Sequence, residues 1–392
     1  MKKQVNSAVK AQLLRSAFFL FLLSTVCAFS FALAHREVAP ASPKQNPTVI
    51  PCVPGWSSGP DLPSTGVRMV GVLFSNGKFY AMGGRSMDGV GNDFTHPFEY
   101  DPISNAWTIK SAIYPDNQVS NMACGVLTDA GTPYIYCVGG SAGGQTTATN
   151  RVFRYDPVTD SITTIPAPWP GDADGITLPG GFTAFLNNKL YILGGFRINT
   201  AMTNQIWEFT PGTNVWVQKN AVLPVPRGYI PTSRPYDISL IYTGGGSLWD
   251  GTTLQDTTDS FVYNPGADTI STIASTPRAT GETRALWMAI PETPGVMFVM
   301  GGGRTPPNPS NEVDIYELAP NSWHTGAPFV TARRNFAVDT SGYRIWLVGG
   351  YAADGGTPLS SMEIYCSPFA STTPAPRVTP APRPRPTPPP RP

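Results

Sequence analysis

Histidine and cysteine are scarce, with 3 and 5 copies in 392 residues. No pair of them has zinc-ligand spacing, and neither a glycine-rich phosphate cradle nor a Ser-His-Asp arrangement occurs. Charge is also sparse, at 14% of residues, and residues 52–368 hold 17 Lys and Arg against 25 Asp and Glu, a net of −8. A mildly acidic body lacks the basic footprint that nucleic-acid binding needs. Beyond residue 34 there is no extended apolar pattern of period 3.6 and no membrane-length apolar run. A helical domain, a second span and a resident metal or cofactor are therefore not expected.

What the chain does have is 39 glycines and 42 prolines, a composition suited to short strands joined by turns. It also repeats itself. An aromatic residue, two more residues and then a glycine pair recur six times, beginning at Tyr80, Tyr136, Tyr191, Tyr242, Phe298 and Trp346. The pairs are Gly83-Gly84, Gly139-Gly140, Gly194-Gly195, Gly245-Gly246, Gly301-Gly302 and Gly349-Gly350, spaced by 56, 55, 51, 56 and 48 residues. A near-constant period of that length marks a repeat architecture.

Each repeat divides into four strands. In the first, Met69 to Phe74 is a β-rich run, Ser75-Asn76-Gly77 a tight turn, and Lys78 to Gly84 the second strand. A third strand closes on Phe98-Glu99-Tyr100, Asp101 to Asn105 is turn chemistry, and Ala106-Trp107-Thr108 starts the fourth. Tyr155, Phe209, Tyr263 and Tyr316 repeat the Tyr100 position. Seven residues beyond each stands Trp107, Ile162, Trp216, Ile270 or Trp323, a spacing that fixes a hairpin register. A glycine pair closing a strand admits positive φ and close approach by another chain, while the preceding aromatic can fill space between stacked sheets.

Glycine pair, tyrosine about sixteen residues on, and tryptophan seven further is the pattern of kelch repeats, which residues 52–368 resemble in six copies. Departures are Ile162 and Ile270 at tryptophan positions, Phe209 at a tyrosine position, and Phe298 and Trp346 before the glycines; all keep bulk. The resemblance implies an all-β, six-bladed kelch-type β-propeller, each blade a four-stranded antiparallel sheet. The sixth repeat has no tryptophan strand after Tyr365, whereas Cys52-Val53-Pro54-Gly55-Trp56 has no repeat before it. The N-terminal strand should therefore close the last blade. In an intact repeat the slots of Cys366 and Cys52 are those of Asp101 and Ile103 respectively, near enough for a disulfide, and that pair is expected to tie the ends together. Cys124 and Cys137 flank the turn at Asp129-Ala130-Gly131-Thr132; they are either a cross-strand disulfide or two buried thiols.

The ends read differently from the body. Residues 1–34 read as a signal peptide: a basic start, an apolar run and Ala32-Leu33-Ala34 as cleavage site. Its alternatives are an uncleaved anchor or lipid attachment at Cys27. Residues 35–51 are a Pro/Ala-rich flexible lead-in, and cleavage would leave His35 in front. Residues 369–392 form a Pro/Thr/Arg-rich tail of polyproline II type: a spacer, a glycosylated stalk, a basic arm or a tail without a role. These features place the chain outside the cytoplasm, secreted, periplasmic or on the cell surface.

Loops after the glycine pairs share one face of the disc with the loops leading onto each first strand. Arg68, Arg227, Arg284, Arg333 and Arg334 fall near first strands there, and Arg85, Arg197 and Arg304 follow glycine pairs. Kelch domains that bind acidic peptides use arginines on this face, so the resemblance implies a carboxylate-bearing protein or glycan ligand. Asp88, Asp93, Asp172, Asp174, Asp250, Asp256, Glu282 and Glu312 fall on the same face, and arginine before a first strand is also structural in the repeat. Phe94, Phe196 and Trp249 either stack on sugars or cap blades. Two enzymatic resemblances stand behind the binding module. Sialic-acid mutarotases are six-bladed kelch proteins acting on an anomeric centre; copper-radical oxidases resembling galactose oxidase need histidine ligands that His35, His96 and His324 do not group to supply. The reading is a monomeric, exported kelch-type binding module, with the mutarotase as its alternative.

Overall fold

The computed structural model describes residues 53–303 and 309–369. The leader, the lead-in, Cys52, Arg304 and the tail beyond Phe369 lie outside the described residues. Six four-stranded antiparallel sheets are present. The first contains Val70–Leu73, Phe79–Met82, Phe98–Asp101 and Ala106–Ile109, in that order from first strand to fourth. Blades 2 to 5 begin at Ala123, Thr177, Thr232 and Arg284 and repeat the order. In blade 6, Ala337–Thr340, Arg344–Val348 and Met362–Cys366 are completed by Gly55–Ser58. Each first strand touches the first strands of both neighbouring blades, so the six close a ring around an axis.

Ring closure by the N-terminal strand is as the sequence implies, with Trp56 opposite Tyr365 just as Trp107 is opposite Tyr100 and Trp323 opposite Tyr316. The seven-residue spacing thus sets one register in the five continuous blades, and the split blade repeats it. Cys366 is disulfide-bonded. Cys124 and Cys137 stand directly opposite on adjacent strands and form a disulfide.

The core lies between blades. The aromatic of the glycine phrase meets the tyrosine slot of the next blade in five cases, among them Tyr80 with Tyr155 at 5.9 Å, Tyr136 with Phe209 at 5.8 Å and Tyr242 with Tyr316 at 6.0 Å between ring centroids, while Trp346 stacks on Phe79 at 6.3 Å. Such tilted or edge-on pairs add to the area they bury. The tryptophans contribute a second contact through their indole N–H. Trp107, Trp216, Trp323 and Trp56 donate to the carbonyls of Pro60, Ala167, Ala274 and Ala327, each just past the fourth strand of the preceding blade. Ile162 and Ile270 have no N–H to give. In those two blades Asp160 accepts from the Ser111 and Ala112 N–H groups, and Asp268 from those of Asn220 and Ala221. In blade 5, which keeps its tryptophan, Asn321 at the same position accepts from Ala274 N–H, so this side chain is a second stitch between blades that remains where the indole is missing.

Glycine pairs do the same near the axis. Gly194 has φ +63°, and a Cβ there would lie 2.3 Å from the Arg227 carbonyl oxygen. Gly195 N–H donates to that same carbonyl at 3.0 Å. Only a residue without a side chain lets the next blade's chain pass this closely.

Candidate functional site

On the way from rim to axis the chain turns sharply onto each first strand. The turning residue is Arg68, Asn121, Tyr229, Glu282 or Asn335 in blades 1, 2, 4, 5 and 6, and each has φ between 48° and 60°. Left-handed backbone costs such side chains on the order of 1 kcal/mol each. A chain of backbone hydrogen bonds offsets it: Asn335 N–H to Glu282 O at 2.7 Å, Arg68 N–H to Asn335 O at 2.8 Å, and Asn121 N–H to Arg68 O at 3.0 Å. In blade 3 the place is taken by Pro179, whose ring forbids positive φ. These six residues form a collar around a throat of about 20 Å³.

Above the collar lies a cleft of about 700 Å³, lined by loops that follow the glycine pairs of blades 1 to 4. Arg68 and Arg85 are both in its wall and converge on one carboxylate, Asp88, at 3.5 and 3.7 Å. Tyr351 joins them, accepting from Arg68 Nε at 3.0 Å and donating to Asp88 at 2.6 Å. Burial pushes the Asp88 carboxyl up, but the Tyr351 hydrogen bond and the two guanidiniums bring it below its ordinary value. The Asp88 side chain remains 59% exposed, whereas Arg85 is buried and its Nε has no hydrogen-bond partner among the described residues. Across the cleft stand Phe196, Tyr229 and Trp249, with Phe196 5.8 Å from Tyr229 and 5.6 Å from Trp249. Trp249 is carried by a small hairpin, Ser247–Trp249 with Leu254–Asp256, that blade 4 adds after its glycines.

The remaining arginines of this face separate by role. Arg227 and Arg333 are fully buried. Arg227 Nη1 donates to the Gly245 carbonyl at 3.1 Å and Arg333 Nη1 to that of Gly349 at 2.8 Å, each the first glycine of its pair. Arg151 and Arg278, which the sequence does not single out, reach Gly139 and Gly301 in the same way. These are scaffold arginines. Arg334 is ion-paired with the buried Glu282 and lies 4.6 Å from the Tyr351 ring centroid, and Arg197 pairs with Asp174 at 2.6 Å on the rim. Arg284 sits lower than the others, on the first strand itself, where its side chain lines both the throat and the channel beneath.

Most of the carboxylates on this face hold loops in place. Asp93 accepts from Gly143 N–H, Asp172 from Thr177 N–H and Asp256 from the Ser247 hydroxyl, while Glu312 pairs with Arg278 at 2.8 Å. Phe94 packs on Phe98 at 4.9 Å within the core cluster of blade 1 and does not line the cleft, whereas Phe196 and Trp249 do. His96 contacts the Ala112 carbonyl and His324 lies beside Glu317 on an outer strand. Among the described residues no three His, Cys, Asp or Glu side chains are grouped to hold a metal.

The family model named Kelch motif matches residues 123–166, which are blade 2. Kelch-like protein terF of Aspergillus terreus is 25% identical over 202 residues, covering 49% of this chain and 40% of that protein. Kelch-like protein 8 of Mus musculus is 33% identical over 73 residues, 19% of this chain and 11% of that protein. The chain thus spans less than half the length of either relative. The solved structure titled Structure of YjhT superposes with a TM-score of 0.59 at 15% identity, over 77% of this chain and 95% of that one, a likeness of fold. The chain is thus a six-bladed β-propeller that carries a kelch motif in its second blade and is similar to kelch-like proteins.

Proposed function

We propose that the chain is exported and works as a binding module, taking a carboxylate-bearing glycan or protein segment in the cleft above the collar. One observation carries this reading: Arg68 and Arg85 share a single, half-exposed carboxylate beside an aromatic wall. A ligand carboxylate that displaces Asp88 gains two guanidinium donors, and a sugar ring or apolar side chain stacks on Trp249 and Tyr229. Kelch propellers are commonly interaction modules, which agrees with a site built by loops rather than by a catalytic constellation.

The test is a screen of uronic-acid and sialylated oligosaccharides together with Glu-rich peptides, followed by titration of the binders. Arg85→Gln should weaken binding tenfold or more, since charge-assisted hydrogen bonds contribute about 1.5–3 kcal/mol, and Trp249→Ala should weaken it by a similar factor through the lost stacking area. Arg197→Gln on the rim should leave it unchanged. Equal losses in all three variants would contradict the assignment. Accelerated anomer exchange, seen by NMR and abolished by Arg68 or Arg284 substitution, would replace it with the mutarotase-like alternative. Export is checked separately: the mature protein should begin at His35 in the extracytoplasmic fraction, and recovery of the intact leader in the cytoplasm would contradict it.

A further inference from the structure

Below the throat the channel widens to about 270 Å³, walled by the first strands of all six blades. Arg284 lies in this wall, its guanidinium 4.2 Å from the ring centroid of Phe182. No carboxylate and no hydrogen-bond acceptor meets that guanidinium among the described residues, and burial alone pushes it down, to about 10. It is still a cation at neutral pH. Arg234 shares the cavity and spends its donors on the Ala184 and Pro235 carbonyls, forming no ion pair. The one carboxylate in the wall, Asp339, has an oxygen on Leu73 N–H at 2.5 Å and the other on Thr340 N–H at 2.8 Å. Two cations thus face the channel with a single acid committed to backbone donors.

Arg284 is half-buried, and a charge partly withdrawn from water without a partner is unfavourable, a cost that proteins meet by pairing it. We propose that the lower channel is a site for a small monovalent anion, halide or short-chain carboxylate, seated on the Arg284 guanidinium. The cavity admits such ions easily, since a water molecule claims about 30 Å³ in the liquid. Ser233 and Thr340 line the same wall and add hydroxyl groups to it. The throat, about 20 Å³, separates this anion from whatever the cleft holds, so the inference does not depend on the cleft's ligand.

The experiment follows the thermal midpoint of the intact chain at fixed ionic strength while chloride, formate or acetate replaces a bulky sulfonate. A ligand that binds only the folded state raises the midpoint with its concentration. Wild type should show a rise that follows a one-site binding curve, and Arg197→Gln should show it too. Arg284→Met should lose the response, and in sulfonate alone its midpoint should match or exceed wild type because the unpaired charge is gone. A response to chloride assigns an inorganic ion, one to formate and acetate an organic carboxylate, and either upholds the site. No response in wild type, or an undiminished one in Arg284→Met, would overturn it. Should that variant not fold, bromide-soaked wild-type crystals decide: an anomalous peak beside the guanidinium supports the site, and an empty channel refutes it.

Discussion

Arginine does two jobs in this chain, and the guanidinium's nearest acceptor separates them. Arg227 and Arg333 end on glycine carbonyls and on Asp259 and Glu363, fully out of solvent. Arg333→Met leaves the buried Glu363 with only its backbone donors Val330 and Thr331 and no counter-charge, so it should cost about 3 kcal/mol in urea unfolding, the usual scale for breaking a buried pair. Gly194→Ala should cost at least about 2 kcal/mol, because left-handed backbone and a carbonyl contact are both violated. An unchanged urea midpoint in either variant would contradict these roles. The sequence places both kinds of arginine on one face without distinguishing them. Their offsets from the glycine pairs are similar, and which carbonyl a long side chain reaches is decided by the neighbouring blade. The collar was equally hidden, because hairpins of different length (Ser75 to Gly77 in blade 1, Pro291 to Gly295 in blade 5) shift Arg68 and Glu282 differently relative to their glycines.

Blades were far more legible, because their signals are local. Strand alternation, an Asn-Gly turn and a seven-residue spacing fix pairings such as Tyr100 with Trp107 without reference to any other blade. What the sequence understates is the meaning of Ile162 and Ile270. Equal bulk explains the packing, but the missing indole donor leaves the stitch to Asp160 and Asp268, five residues beyond each tyrosine. Trp216→Phe removes one neutral hydrogen bond and should cost about 1 kcal/mol, while Asp160→Ala strands two buried or half-buried donors and should cost about 2 kcal/mol. Chemical denaturation of the pair of variants checks the order; a reversed order would show that the carboxylate is not the stitch.

Across the whole molecule the ring is closed by pairing Gly55–Ser58 with the last blade, and burial shifts carboxyl groups both beside the axis and between the blades. Burial raises Asp339 from 3.8 to about 6, against the weaker pull of the backbone N–H groups of Leu73 and Thr340 and of Arg234. Between those values the folded chain holds a proton that the unfolded chain has lost, so this group adds stability as pH falls through about 6. Glu99 is the reverse case: burial raises it, but its lysine and tyrosine partners prevail and lower it, so its contribution is lost as pH falls below the ordinary carboxylate range. Asp339→Asn should therefore flatten the wild-type gain between pH 6 and 4.5 in thermal melts, and an unaltered slope would contradict the assignment. Arg68 and Arg85 in the cleft, and not the scaffold arginines that end on glycine carbonyls, are proposed to select the carboxylate of the glycan or protein ligand. The most direct measurement takes affinity for a bound uronic-acid oligosaccharide or Glu-rich peptide and unfolding stability together, on Arg85→Gln and Arg227→Met. Arg85→Gln should lose tenfold or more in affinity at wild-type stability, and Arg227→Met should lose stability while its folded fraction binds normally. Wild-type affinity in Arg85→Gln, or a loss of stability there equal to that of Arg227→Met, would contradict it.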